Sequence, residues 1–429
     1  MQSDHPPSRR LAISRFATPI VLGLLLSLIA KADEEVTRAG RIREQQLAKL
    51  KALVPEQRSV LDERISSVAG YVMGNLTSSL GGLGVRFGGL RTGQGFALGP
   101  QFKRYGLLEG RLVFRTSAAG SPSGAYMFDV QATVPHLAGR RAFLDVLSTY
   151  GNYPRMDYYG QGPDSRKGGR SHFRLEENRH DLTVGMRAAP HLYAGFSAGY
   201  LGINVGRGNR DEVARTEDLY KESNTPGLQT QTDFLRGGVF LRVDYRDDPL
   251  GARSGGMYTA RFNVNNDMSV GRYDFRTLDL EARQYFPFFN KRRVIALAGA
   301  ATFSYANGTS VVPFYLQPTL GGSDDLRGFR TYRFYGNNLL VVNAEYRWET
   351  FSGMDAALFF DAGKVARLRS QVNFHNLETS AGFGLRFNAR NRTFLRIDVG
   401  FSREGFQVWT KFGAAQPVRL RERAISGVR

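Results

Sequence analysis

One stretch of the sequence, residues 235–246, alternates between apolar positions and positions that are mostly charged. Its odd positions are apolar, aromatic or glycine, whereas its even positions include Arg236, Arg242, Asp244 and Arg246. A period of two is typical of a β-strand whose two faces meet different surroundings. Because an arginine facing lipid is costly, such a strand in a membrane has a fixed register, with its charged side chains in a wet interior.

The same alternation recurs over most of the chain after about residue 80. Residues 126–134 are a second clear case, with Asp129, Gln131 and Thr133 between apolar neighbours. The aromatic content is 12%, glycine contributes 49 residues, and the mean hydropathy is only −0.32. These features predict an all-β fold, a closed antiparallel transmembrane β-barrel of about 16 strands over residues 81–413. A soluble β-protein is the alternative.

The two ends of the sequence lack this alternation. Residues 1–32 carry three arginines, an apolar run and an A-x-A sequence, which predict a cleaved signal peptide. A membrane anchor is the alternative, although the run is short for a span. Residues 33–80 space their apolar side chains as a helix does, which predicts a short periplasmic helical segment. Residues 414–429 form a basic tail.

The formal charge of +19 indicates anionic neighbours. Because the arginines alternate along strands instead of clustering, we expect phosphorylated lipid head groups, including those of lipopolysaccharide, and no nucleic acid. The sequence contains no cysteine, which excludes disulfides and thiol chemistry. The histidines lack the spacing of metal ligands, so we predict no metal and no cofactor.

Loop lengths predict the orientation of the barrel. Residues 247–255 and 287–290 are tight turns, whereas residues 202–231 and 305–338 form long loops. In outer-membrane barrels the short turns face the periplasm and the long loops face the exterior. The sequence therefore predicts a protein of the bacterial outer membrane.

Residues 321–330, Gly-Gly-Ser-Asp-Asp-Leu-Arg-Gly-Phe-Arg, interrupt the strand pattern within the second long loop. Glycines allow a sharp turn there, and Arg327 supplies a planar cation. This loop resembles the Arg-Gly-Phe/Tyr loop of the BamA-like surface-antigen family, outer-membrane barrels that insert or export proteins. Residues 343–347, 359–363 and 244–247 also resemble motifs of that family.

The resemblance implies a loop that folds into the lumen and meets acidic residues on two strands. It predicts a lumen lock made of Arg327, Gly328, Phe329, Glu345, Asp361 and Gly363. It also implies a barrel whose first and last strands part toward lipid while it assists insertion, assembly or translocation of unfolded polypeptides. The family's assembly members carry periplasmic modules, and residues 33–80 are too short for one, so we expect a member without them.

Two functions remain as alternatives. An arginine-lined lumen is compatible with a passive pore that favours anions. The hypothesis of a lipid-modifying enzyme depends on residues 195–199, which match the G-x-S-x-G nucleophile elbow around Ser197. His172, His180 and His191 lie nearby in the sequence. The elbow requires a strand, a turn and then a helix, and here one strand pattern continues through it, so we predict no enzyme.

Residues 155–162 combine charged, aromatic and glycine residues near the predicted end of a strand. This composition suits a ligand loop or an aromatic girdle at the membrane surface. We predict the girdle, because aromatic belts are a regular feature of transmembrane barrels.

Overall fold

The computed structural model describes Glu44 and residues 82–139, 141–249, 251–389 and 392–412. Apart from Glu44, the predicted signal peptide, periplasmic helical segment and basic tail lie outside the described residues. Among those residues, no helix combines the length and the apolar character needed to cross a membrane.

Within the described ranges, sixteen antiparallel strands form one sheet in chain order, which confirms the predicted number of about 16. The strands are β1 (Leu83–Gly89), β2 (Phe96–Gly106), β3 (Leu112–Gly120), β4 (Tyr126–Leu137), β5 (Ala142–Tyr158), β6 (Ser171–Ala189), β7 (Leu192–Arg207), β8 (Phe234–Asp244), β9 (Gly255–Asp267), β10 (Phe275–Phe288), β11 (Arg293–Ala306), β14 (Asn338–Phe351), β15 (Met354–Ala366), β16 (Glu378–Ala389), β17 (Arg392–Ser402) and β18 (Gly405–Phe412).

A separate two-stranded ribbon lies inside the loop between β11 and β14. It consists of β12 (Thr319–Leu320) and β13 (Phe334–Tyr335). Short helical turns occur at Leu107–Gly110, Lys167–Gly169, Thr216–Leu219, Phe314–Leu316 and Arg369–Gln371.

The sheet curves into a nearly closed barrel whose edges, β1 and β18, face each other. The rings of Phe87 and Phe412 stand 6.2 Å apart across this seam. Within the described residues, no backbone hydrogen bond joins the two strands. The seam is therefore the one pair of adjacent strands in the described barrel that no backbone ladder joins.

The alternation predicted for β8 is confirmed. Leu235 and Val239 are more than half exposed on the outer face, whereas Arg242 is almost completely buried in the interior. Arg236 also faces inward and pairs with Asp181 of β6. The cost of placing a guanidinium in lipid thus determines which face of the strand points outward.

The long loops pack together into a cap at one end of the barrel. Its core contains aromatic residues of several loops, including Tyr158, Phe314 and Tyr335. Arg333 joins three segments of the cap, because Nε lies 2.9 Å from Oε1 of Glu404 and Nη2 donates to the carbonyl of Ser165 at 2.7 Å.

The prediction that residues 155–162 form an aromatic girdle is wrong. Tyr158 and Tyr159 are buried inside the cap, and the ring of Tyr158 lies 4.8 Å from that of Tyr335. Strand β5 has 17 residues. A tilted membrane strand needs only about 9–11. The strand therefore continues beyond the membrane, and its aromatic end supports the loops.

Candidate functional site: a loop held inside the barrel

Residues 321–330 turn into the barrel interior from the β12–β13 ribbon. Gly321 and Gly322 have φ values of +109° and +118°, which side chains other than glycine rarely adopt. Leu326, Arg327 and Phe329 are completely buried. The two glycines therefore make the turn that brings the arginine into the lumen.

Arg327 meets Asp361 of β15 in a two-pronged contact. Its Nε lies 3.0 Å from Oδ2 of the carboxylate, and its Nη2 lies 2.6 Å from Oδ1. The backbone amide of Arg327 also donates to Oδ2 at 3.1 Å. A planar guanidinium matches a carboxylate in this fork geometry, so the contact fixes the orientation of the loop as well as its position.

Glu345 of β14 completes the pairing. Arg327 Nη1 donates to its Oε2 at 2.6 Å, and the guanidinium lies 3.4 Å from the ring centroid of Phe359. Glu345 and Phe359 are direct partners in the β14–β15 register, and Asn343 is paired with Asp361. Side chains of the same face on two paired strands thus surround the guanidinium.

Further side chains hold the two carboxylates in place. Asn343 donates to Asp361 Oδ1 at 2.8 Å, and Ser380 of β16 donates to Oδ2 at 3.2 Å. Arg347 and Arg386 donate to Glu345 at 2.6 and 2.8 Å. The buried charges are therefore shared in one network, which lowers the cost of removing each from water.

The last two strands grip the backbone of the loop. Trp409 of β18 donates its indole N–H to the carbonyl of Arg327 at 2.7 Å, and Ser402 donates to that of Gly328 at 2.7 Å. Lys411 forms an ion pair with Asp324. A Cβ added at Gly400 would lie 2.5 Å from the carbonyl carbon of Arg327, so the loop lies directly against β17.

The remaining predicted residues lie in the packing around the arginine. Phe329 joins a buried apolar cluster, with its ring 5.4 Å from that of Phe334. A Cβ added at Gly328 would lie 2.6 Å from the carbonyl oxygen of Phe401, and one at Gly363 would lie 2.8 Å from that of Leu340. The structure thus brings all six predicted residues into one region of the lumen.

Sequence reasoning missed several members of this site. Arg386, Arg396 and Asp398 extend the charge network, with Arg386 Nη1 2.6 Å from Asp398 Oδ1 and Arg396 Nε 2.8 Å from Asp398 Oδ2. Their alternation with apolar neighbours placed them on the inner face. Nothing in the sequence indicated that Trp409 and Lys411 would reach the loop, because that contact depends on how the barrel closes.

The G-x-S-x-G match is part of a strand. Ser197 lies within β7, paired with Thr183 of β6 and Gly238 of β8. His180 Nδ1 shares a hydrogen bond with the hydroxyl of Ser148, and His191 Nδ1 donates to the backbone carbonyl of Asp244. The strand continues to Arg207 without the turn and helix that a nucleophile elbow requires.

A sixteen-stranded barrel with an arginine-bearing loop fixed in its lumen defines a class of outer-membrane β-barrel. A family model described as the Omp85 superfamily domain matches residues 128–406. The chain belongs to the Omp85 superfamily, and the predicted membership of the BamA-like group and the outer-membrane location are confirmed.

Solved structures that share this fold include BamA and CdiB. BamA from Haemophilus ducreyi lacking POTRA domains 1-3 has a TM-score of 0.59 and 15% identity, covering 78% of this chain and 71% of that one. CdiB from Escherichia coli has a TM-score of 0.53 and 15% identity, covering 77% of this chain and 61% of that one. No curated protein matches the sequence. Identities this low establish the shared fold alone.

Proposed function

We propose that this barrel assists unfolded polypeptides as they insert into, or pass across, the outer membrane. The interrupted ladder between β1 and β18 is the observation that carries the proposal. An unpaired strand edge offers a row of backbone donors and acceptors to another strand. A polypeptide that arrives in extended form can add to such an edge by backbone hydrogen bonds.

The composition of the two edge strands supports opening toward lipid. β1 reads Leu-Gly-Val-Arg-Phe-Gly-Gly, and glycine weakens a strand because it brings no side chain to pack. On β18, Phe406 and Val408 are more than half exposed on the outer face. Both edges are therefore suited to lipid contact, and β1 is the easier one to displace.

The filled lumen argues against the passive pore. Residues 321–330 and the cap occupy the interior, and beside them remains a cavity of about 510 Å³. A steady current through the intact protein would require that the loop leave its charged partners. The lipid-modifying enzyme has no support beyond the match at Ser197, which lies in a continuous strand.

The test is to fasten the seam. The sequence has no cysteine, so the double variant Phe87→Cys/Phe412→Cys can be joined by a short bifunctional thiol reagent in proteoliposomes. We expect fastening to slow the insertion of an added unfolded outer-membrane barrel by about tenfold or more, because the route to the strand edge is closed.

The matched control joins two strands that are already hydrogen-bonded. Val399→Cys/Val408→Cys links positions paired directly in the β17–β18 register. This link should leave insertion unchanged. Equal rates for the fastened and unfastened seam would contradict the proposal, and large steady currents in the unmodified protein would instead favour the pore.

A further inference from the structure

The outer wall of the barrel carries a basic cluster near the exterior end of β10, β11 and β15. Arg276 of β10 is exposed and faces outward, because it alternates with buried Phe275 and with Asp279, which lines the interior cavity. Arg276 pairs in the register with Tyr305 of β11. The guanidinium of Arg369 lies 4.2 Å from the ring centroid of Tyr305, so the two arginines flank one outward tyrosine.

The loop that carries Arg369 contains no carboxylate. Residues 362–377 contain Lys364, Arg367, Arg369 and His375 and no aspartate or glutamate. Neither Arg276 nor Arg369 forms an ion pair within the described part of the chain. Asp274, the carboxylate closest to Arg276 along the chain, accepts a hydrogen bond from the amide of Asp267. Exposed arginines that form no ion pair at this rim are suited to an anionic group from outside the chain.

Two apolar side chains accompany the basic cluster. Leu368 and Phe374 are 61% and 70% exposed on the loop that carries Arg369. Lys364 Nζ donates to Asn373 Oδ1 and to the carbonyl of His375, each at 2.8 Å, and so holds this loop to β15. Apolar side chains next to cations are typical of segments that lie at a membrane interface.

An apolar groove of about 450 Å³ lies on the outer wall below this cluster. Its floor is made of small side chains on neighbouring strands, and larger apolar residues form its sides. The register places them in two rows: Leu241, Ala260, Leu280, Ala301 and Leu340, then Val243, Tyr258, Ala282, Gly299 and Val342.

The distance between the basic cluster and the groove is close to the thickness of one leaflet's hydrocarbon layer. Leu280 lies four positions from Arg276, and Ala301 lies four positions from Tyr305, a distance of about 13 Å along a strand. Half of a bilayer's hydrocarbon core is about 15 Å thick. A head group bound by the arginines would therefore place its acyl chains along the groove.

We propose that this wall of the barrel binds a phosphorylated, multiply acylated lipid of the outer leaflet, of the lipid A class. The two arginines would bind its phosphates and the groove would receive acyl chains. Loop lengths place this end of the barrel at the exterior, where the outer leaflet contains such lipids. The proposed site lies on β8–β11, β14 and β15, away from the β1–β18 seam, and is independent of the insertion function.

The experiment measures lipid binding to the purified full chain by native mass spectrometry from detergent micelles. Bisphosphorylated lipid A, its dephosphorylated form and phosphatidylglycerol are titrated separately. We expect Arg276→Gln/Arg369→Gln to weaken lipid A binding about tenfold, since each basic residue near an anionic surface adds to the affinity. Dephosphorylated lipid A should bind the unmodified protein as weakly as lipid A binds the double variant.

A second variant tests the groove. A Cβ at Gly299 would meet the carbonyl of Val341 at 3.7 Å and Val342 Cγ1 at 3.8 Å, which are ordinary contacts. Gly299→Leu should therefore fold, fill the groove and weaken lipid A binding. Ala301→Leu fills the same floor if the first variant does not fold. The control is Arg104→Gln/Arg187→Gln, which removes two exposed arginines from the opposite end.

Three outcomes would overturn the proposal. If the double variant binds lipid A as tightly as the unmodified protein, the two arginines do not belong to the site. An equal loss in the control would show a general effect of charge. Phosphatidylglycerol binding as tightly as lipid A would show that any anionic head group suffices. Heat-dependent migration on a detergent gel identifies variants that have folded, so misfolding cannot imitate a loss of binding.

Discussion

The two edges of the barrel sheet are held very differently. β18 contacts the central loop through Trp409 and Lys411, and through β17 it adjoins the charge network around Arg327. β1 is paired with β2, its Arg86 forms an ion pair with Asp129 of β4, and it meets β18 through the rings of Phe87 and Phe412. If the seam opens, the structure therefore favours movement of the β1 side, while β18 stays with the loop.

The largest expected effect comes from removing Arg327, the centre of the network that holds the loop next to β17 and β18. Arg327→Ala removes the cation paired with buried Asp361 and one of the three arginines around Glu345. Breaking a buried pair from one side costs about 3–5 kcal/mol. We expect the loop to be released, with new protease cleavage within residues 307–337. Asp361→Ala should have a similar effect.

A double-mutant cycle separates pairing from general damage. The Arg327→Ala/Asp361→Ala variant should lose less unfolding free energy than the sum of the two single variants, because the two side chains are partners. Arg166→Ala, at an exposed loop position, is the control and should leave the loop protected. Strict additivity in the cycle would show that the pair does not hold the loop.

The second expected effect concerns the link between loop and edge strand. Trp409→Phe keeps an aromatic ring but removes the N–H that the carbonyl of Arg327 accepts. An unsatisfied buried group costs about 1–3 kcal/mol. Spin labels at positions 87 and 412 should then report a broader distance distribution across the seam. An unchanged distribution would mean that β18 is held without the loop.

The sequence predicts those features that depend on the alternation of side chains and on the cost of placing a charge in lipid. Arg242 and Asp361 had to face inward, because neither could face lipid, and the resemblance supplied the partner of Arg327. Tyr158 was predicted to lie in an aromatic girdle but is buried in the cap, because a sequence does not show how far a strand extends beyond the membrane. The contact of Trp409 with the loop depends on barrel closure, which no local pattern encodes.

A smaller effect should come from the free edge. Gly89 of β1 has open space around its Cα, so Gly89→Ala should stiffen the strand and stabilise it by about 0.5–1 kcal/mol. Gly88 also has open space but a φ of +124°, so Gly88→Ala should destabilise β1. The midpoint temperature of heat-dependent gel migration should move in opposite directions for this pair. Shifts of the same sign would contradict the assigned backbone conformation.

The smallest effect is expected far from both edges, in the turn between β8 and β9. Partial burial raises the pKa of Asp247, but hydrogen bonds from Lys291 and from the amides of Arg253 and Ser254 outweigh it and lower that pKa below its usual value. A lowered folded pKa stabilises the fold above the unfolded value, about 3.9, and this contribution is lost as pH falls toward the folded pKa.

Comparison with Asp247→Asn measures this contribution. The unmodified protein should exceed the variant in unfolding free energy at pH 7, and the difference should shrink below about pH 4. A difference that stays constant with pH would show that the carboxylate's charge contributes nothing to the turn.

The grip of the last strands on the central loop has a consequence for the order of folding. Trp409 lies 82 positions after Arg327, and Ser402 lies 74 after Gly328. The loop cannot make its final contacts until nearly the whole barrel sequence is in place. Contacts this distant form slowly because a long segment must first be closed. A chain interrupted before β17 would keep the partners of Arg327 on β14 and β15 but lack the contacts of Ser402, Trp409 and Lys411 with the loop. The loop therefore reaches its final position only as the wall of the barrel is completed.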